Sequence, residues 1–457
     1  FFSSLVDMLR EDERVADLFP VPAAYTPVLK FKMNGVAVDL LFARLSDGRK
    51  LEIKKGVEPK SIELDDMDLV GQDEAGVRSI NATRVAQVLL RTVPNLENFK
   101  LTLRAVKYWA KIRGLYSNVL GFLGGINCAI LVAWVCKRHP TALPSTLLGL
   151  FFETFASWGW HFPVSLCPVM STPPPGVLTM PVWDPVSNHR DAMRLMTILT
   201  PAYPTMNSSY NVELPQLRRI YSEFCEAANT ASDIMNGKAK WKDLFRPNDF
   251  FHQHQHFLQV RISAPNGEDF RSWFGLCESK LRVLIIGLEA PERGIQSFPY
   301  ATIFHHTHDN SENPEECLRE ASFFIAFRIA LGVENVELRF CINEFLHKVN
   351  FWEGRRLGMD LMIEHVKQEN LPSFVFPDKA KLPRVEKAKV VNSESSKEAT
   401  SSERSTQKPP KGPSKAPLQS LRPVENRGER PPHSPVSSTN PSPAKRAKKK
   451  TISGAGD

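Results

Sequence analysis

Four cations recur along KLTLRAVKYWAKIRG: Lys100, Arg104, Lys107 and Lys111 are spaced by 4, 3 and 4 residues. On a helix that spacing puts them on one face. Tyr116, Asn118 and the turn Gly121-Phe122-Leu123-Gly124-Gly125 follow, leading into an apolar run over Ala129–Cys136. The first N–H groups of a helix can receive an anion, and glycines let a ligand come close to the backbone. The chemistry such a stretch could do is to receive a phosphate or a base edge. A solvated basic face followed by a tight helix-helix turn is the plainer reading of the same residues.

Asp39 is the second candidate. In Val28–Ala43 (VLKFKMNGVAVDLLFA), Asn34-Gly35 lies between two alternating runs and predicts a hairpin with a type I′ turn. Met33 then pairs with Val36, Phe31 with Val38, and Lys30 with Asp39. Leu29, Phe31, Met33, Val36, Val38, Leu40 and Phe42 are expected to share a buried face. Lys30 and Asp39 become cross-strand neighbours, about 5 Å apart at Cβ. They form either a surface ion pair or, with Asp39 held on a rigid strand, part of a metal site. Asp66-Met67-Asp68 is formally D-x-D, but it sits in the acidic run ELDDMD and reads as a solvated loop. His252, His254 and His256 are expected on one strand face, and His305, His306 and His308 in a loop. No Cys pair accompanies either group, so the mixed spacing of a zinc site is missing.

Leu96, Phe99, Leu103, Val106 and Ala110 mark the core stripe of a helix that Asn95 caps and Gly114 ends. Thr146–Trp158 and Ala192–Leu199 give further apolar helical runs, PVWDP (181–185) and TPAYP (200–204) are rigid turns, and Glu213–Met235 and Lys240–Phe245 complete the region. Ser46–Ala75 is polar and reads as a surface insertion. Beyond 246, a strand is predicted at His256–Ile262, with Leu258, Val260 and Ile262 inward. A helix follows at Asp269–Gly287, with Trp273, Leu276, Leu281 and Leu284 as core. Strands at Ala321–Leu331 and Val336–Cys341 and a helix at Asn343–Asn350 complete an RRM-like α+β order, although an RNP1 signature is absent.

From Asp378 onward Pro, Ser, Lys and Glu dominate, a composition expected to stay disordered. Lys445, Arg446, Lys448, Lys449 and Lys450 form a compact basic cluster, read as a nuclear localisation signal or an RNA-backbone contact. Ser434-Pro435 and Ser442-Pro443 are candidate phosphosites, and phosphate beside the cluster is expected to weaken its binding. The 457 residues suit two or three domains, and the net charge of +8 permits an acidic partner such as RNA. Seven scattered cysteines read as reduced thiols, and no apolar run is long enough to span a membrane. The chain opens without Met, already inside an amphipathic helix, and is expected to be a fragment.

RAVKYWAK-x3-LYSN-x2-GFLGG resembles the middle domain of the eukaryotic nuclear poly(A) polymerases. RSINxxRV (78–85), MTILTPAYPTMNSSYNV (196–212) and SWFGLCESKLR (272–282) extend the resemblance, which runs from about Phe1 to Pro372. Gly35-x-x-x-Asp39-Leu-x-Phe42 is similar to the strand carrying the third metal-site aspartate of polymerase-β-type nucleotidyltransferases. The resemblance implies a multidomain α+β chain. It would comprise a remnant of a nucleotidyltransferase palm sheet (1–45), an insertion plus helical middle domain (46–245), an RRM-like RNA-binding domain (246–375) and a disordered basic tail (376–457).

It further implies that Lys107 and Tyr116 contact the ATP triphosphate, that Asn118, Gly125 and Ile126 lie against adenine, and that Asn81 reaches the sugar. A helix N-cap is the other reading of Asn81. Asp39 would hold Mg²⁺ or Mn²⁺ in a two-metal site whose other two aspartates belong to a G-S…D-x-D segment that these residues do not contain. The expected reaction adds AMP from ATP to a pre-mRNA 3′ end and releases pyrophosphate. It would run in the nucleus, by a monomer in contact with cleavage and polyadenylation subunits, away from membranes. The chain by itself is expected to be inactive. The alternatives are another terminal nucleotidyltransferase, such as a uridylyltransferase, or a non-catalytic RNA-binding protein.

Overall fold

The computed structural model describes residues 1–44, 63–291, 294–308, 318–332 and 337–376. Much of the expected insertion, nearly all of the tail, the basic cluster at Lys445–Lys450 and both Ser-Pro sites lie outside the described residues. The described residues lie within one compact unit.

A two-residue turn organises the first sheet. Asn34 and Gly35 both have positive φ, 50° and 78°, as a type I′ turn requires. β1 (Val15–Val21), β2 (Val28–Met33) and β3 (Val36–Leu41) follow one another in an antiparallel sheet. The hairpin has the expected register, with Lys30 opposite Asp39. α1 (Ser4–Arg10) lays Val6 on Leu29 and Phe31. The buried face is narrower than expected: Val36 and Phe42 are 65% and 53% exposed. The physical reason is length, because a helix of 7 residues spans only about 10 Å and cannot cover a hairpin end to end.

Helices build the middle of the molecule. α2 (Glu74–Thr92), α3 (Leu96–Ile112), α4 (Gly125–Arg138), α5 (Pro144–Ala156) and, after the short α6 (His189–Ala192), α7 (Leu214–Met235) come in chain order; all but α6, which buries no residue, surround one apolar core. Trp109 stacks on Phe224 at 5.6 Å, with Phe151, Phe152 and Phe155 around them. The expected helix at 192–199 ends at Ala192. Val164 and Asn207 instead pair with Ile198 and Leu199 in isolated bridges, as suits a β-branched Thr-Ile stretch before Pro201. The stripe of α3 is also shifted. Leu96 is 38% exposed, Leu103 is only partly buried, and Thr102 and Trp109 take core positions.

Two further corrections fall just before α2. Glu63–Ala75, expected within a surface insertion, includes Leu69 at 0% exposure and the start of α2. Asp66–Leu69 is a 3₁₀ turn rather than a solvated loop: Asp65 and Asp68 form its capping box, and Asp66 pairs with buried Arg84.

After α8 (Trp241–Leu244) and α9 (Phe250–Gln253) comes the second sheet. β4 (His256–Ala264), α10 (Gly267–Leu288), β5 (Ile295–Pro299), β6 (Phe304–His308), β7 (Leu318–Ile329), α11 (Arg339–Asn350) and β8 (Asp360–Lys367) follow. The strand order β5-β7-β4-β8, with β6 also on β7, is the RRM-like α+β arrangement expected. Leu258, Val260 and Ile262 face α10 as expected, with Trp273, Leu281 and Leu284 opposite, while Leu276 is only partly buried.

The expected strand at 336–341 is corrected. Arg339–Cys341 opens α11, because Cys341 must sit over Gly287 of α10; Val336 lies outside the described residues. The histidines also differ. His252 is in α9, His254 follows it and only His256 is on β4, because burying Phe250 and Phe251 forms a helical turn there. His305 and His306 lie on β6 rather than in a loop.

The outer sheet face has its own lid. Phe257, Phe298 and Phe324 are covered by Phe250 and Phe251, with Tyr300, Phe304, Phe374 and Phe376 packed around them. Phe376, at the boundary assigned to the tail, thus belongs to the folded unit.

Candidate nucleotide site

The site is built at the junction of α3 and α4. Asn95 caps α3, its side chain accepting from the Asn98 N–H. At the other end Gly114 (φ 68°) turns the chain, with Leu115 N–H donating to Ala110 O at 2.8 Å and Gly114 N–H to Lys111 O at 3.1 Å. That pair of bonds is a Schellman motif. A Cβ on Gly114 would meet the Tyr300 ring at 2.3 Å, so two constraints demand glycine here.

The reversal aims Tyr116 back at the lysines. Lys111 Nζ lies 5.3 Å and Lys107 Nζ 5.9 Å from its ring centroid. A Cβ built on Gly125 would be 3.1 Å from the Tyr116 hydroxyl and 4.0 Å from Lys107 Nζ, so the two groups converge on the first residue of α4. Asn118 packs beside Gly124, its Cβ being 3.3 Å from where a Gly124 Cβ would stand. Ile126 is 38% exposed on the same turn. Lys107, Tyr116, Asn118, Gly125 and Ile126 are therefore brought together.

Burial raises the Tyr116 pKa, so its hydroxyl stays a donor at neutral pH. Cys128, fully buried beneath, is pushed up to about 12 by desolvation despite the nearby Lys107. The thiol is neutral, and the positive charge of Lys107 is not cancelled by it. With two ammonium groups and the N-terminus of α4 facing one space, the arrangement suits a polyphosphate.

Other residues hold this turn in place. Asn127 Oδ1 accepts from Gly124 N–H at 2.7 Å, and its Nδ2 donates to Ser208 Oγ at 2.8 Å. Asn211 Nδ2 donates to Asn118 O at 3.1 Å, while Arg282 of α10 donates to Asn211 Oδ1 at 2.7 Å. Gln216 Nε2 donates to Leu120 O at 2.8 Å. These positioning residues were missed from sequence. The one local signal was Asn127, three residues after Gly124, where a reciprocal cap would place it.

Asn81 is not a helix cap. It lies inside α2, where Asp73 is the cap, and its Oδ1 is buried without a hydrogen-bond partner. Asp39 is exposed on β3, opposite Lys30. Among the described residues no group of three or more His, Cys, Asp or Glu is placed to hold a metal ion. Asp39 is one carboxylate, and Asp66 and Asp68 are engaged in their turn; the described residues alone do not fit a two-metal centre.

Three domain models match in sequence: the poly(A) polymerase nucleotidyltransferase domain at 1–93, the central domain at 98–247 and the predicted RNA binding domain at 249–319. The chain belongs to the poly(A) polymerase family. Nuclear poly(A) polymerase 1 of Arabidopsis thaliana is 40% identical over 82% of this chain and 51% of its own length. The poly(A) polymerase of Dictyostelium discoideum is 34% identical over 82% of this chain and 46% of its own. The chain thus spans about half the length of these poly(A) polymerases. A crystal structure of mtPAP in complex with ATPgammaS aligns over 54% of this chain and 53% of that one, with 14% identity and a TM-score of 0.35, too slight a likeness to place residues.

The first match ends at 93, just past the end of α2, the second begins at 98 within the first turn of α3, and the boundary at 247–249 falls between α8 and α9.

Proposed function

We propose that this chain is part of a nuclear poly(A) polymerase that adds AMP from ATP to the 3′ end of pre-mRNA and releases pyrophosphate. The observation that carries the reading is the convergence of Lys107 and Tyr116 on Gly125 at the start of α4. In this reading Lys107 and Tyr116 bind the triphosphate, and Lys111 adds charge at its edge. Asn118, Gly125 and Ile126 lie against the adenine, and the unpartnered Oδ1 of Asn81 accepts from the sugar.

The divalent ions of such an enzyme, Mg²⁺ or Mn²⁺, would activate the 3′ hydroxyl and neutralise the leaving phosphate. Asp39 would be one ligand among several, and this chain's described residues supply no second. The chain alone would therefore bind nucleotide without extending a primer. Contacts with cleavage and polyadenylation subunits, a monomeric state and nuclear import through the Lys445–Lys450 cluster belong to the same proposal.

Equilibrium binding of the four ribonucleoside triphosphates to the purified chain tests it. ATP binding tighter than UTP supports the reading. Tighter UTP binding would instead assign a uridylyltransferase.

A further inference from the structure

On the other side of the α3 C-terminus, where Arg113 pairs with Glu223, α7 meets the outer face of the second sheet around a cavity of about 260 Å³, lined by Arg218, Arg219, Glu223, His254, Phe298 and Arg328 among others. This is below the roughly 300–1,000 Å³ of small-molecule pockets, leaving room for a phosphate and part of its sugar.

The lining is built for charge. His254 is 4% exposed and its Nδ1 has no hydrogen-bond partner. Burial, then Arg328 and Arg219, holds its pKa down at about 3, so the ring is neutral and can donate through Nδ1–H. Arg218 is paired with Glu289 at 2.6 Å and Arg113 with Glu223 at 2.5 Å and Glu226 at 2.7 Å. Asn248 also donates to Glu223, and Arg219 stands 3.7 Å from it. Arg328 lies over the Phe298 ring at 4.8 Å and has no carboxylate partner among the described residues. Four guanidinium groups thus share three carboxylates, and the surplus cation stands beside an unsatisfied buried donor.

We infer that this cavity binds one phosphate group of an RNA strand, held by Arg328, Arg219 and His254. The choice of RNA rests on the function proposed above. It is favoured by the outer sheet face, where base-stacking rings would sit in an RRM: Phe257, Phe298 and Phe324 are already covered from within the chain. An RNA strand crossing this module must be held by its backbone, and the cavity opens at the edge of that covered face.

The test is fluorescence anisotropy of labelled oligo(A) with the whole chain over a salt series. One phosphate contact on a single strand contributes about 0.7 to the slope of log K against log salt. Arg328→Met is expected to lower the slope by about that amount and weaken binding several-fold, with Arg328→Lys restoring part. His254→Phe is expected to weaken binding with the slope unchanged. Unchanged slope and affinity in Arg328→Met, with wild type binding oligo(A), overturns the inference.

If wild type fails to bind oligo(A), the RNA reading fails, and inorganic phosphate titrated against the His254 imidazole resonances decides the site itself. A shift lost in Arg328→Met keeps a phosphate site and rejects RNA as its source. No shift overturns both.

Discussion

Lys107 gives the sharpest residue-level expectation. A hydrogen bond to a charged group is worth roughly 1.5–3 kcal/mol, so Lys107→Ala should raise the Kd for ATP by about ten- to a hundred-fold. The side chain is only half-buried and makes no ion pair among the described residues, so the thermal midpoint should move little. Calorimetric titration together with thermal unfolding checks both halves.

His254 yields a pH expectation. Its folded pKa of about 3 lies well below the ordinary value of 6.5, through burial first and then Arg328 and Arg219. Protonation therefore favours the unfolded chain: the stability from keeping this ring neutral is full above about pH 6.5 and is lost progressively as pH falls toward 3. His254→Phe should flatten the fall in stability between pH 7 and 5, as read by urea unfolding at each pH. That Lys107, Tyr116, Asn118, Gly125 and Ile126 come together follows from their lying within one short stretch, whereas their roles toward ATP came only from the resemblance. For Asn81 the sequence left a helix cap and a nucleotide contact both open; its place inside α2 removes the cap, and the contact with the sugar is the proposal made above.

The element that most strictly demands its residue is the C-terminus of α3. Gly114 sits at φ 68° under the Tyr300 ring. The left-handed conformation alone costs a residue with a Cβ about 1–2 kcal/mol, and the ring contact adds to it. Gly114→Ala should therefore lower stability by at least about 1 kcal/mol in urea unfolding and weaken ATP binding by displacing Tyr116. Helices with a clear apolar period, such as α3, α5 and α10, were readable in the chain, as was the Asn34-Gly35 hairpin. β5 and β6 were not read, because both are short and pair only to β7, so nothing in their own pattern announces them. The 192–199 run was misread for a related reason: its apolar residues are buried by partners at Val164 and Asn207, not by a helical face.

Across the whole molecule, the nucleotide turn is held by residues distant in sequence. Arg282 of α10 reaches Asn211, which in turn holds Asn118 O. Arg282→Met should weaken ATP binding a few-fold, although Arg282 has no place in the pocket; an unchanged Kd would cut this link. Such couplings are invisible in sequence, as is the Arg113–Glu223 pair, 110 residues apart. They arise only when α7 crosses α3 and carries Glu223 to the end of that helix.

The central claim is that ATP binds where α3 turns into α4. Photolabelling the chain with an azidoadenosine triphosphate, followed by peptide mapping, tests it most directly. Label is expected between Tyr116 and Asn127, displaced by unlabelled ATP and falling sharply in Lys107→Ala. Displaceable label elsewhere, undiminished in that variant, would contradict it.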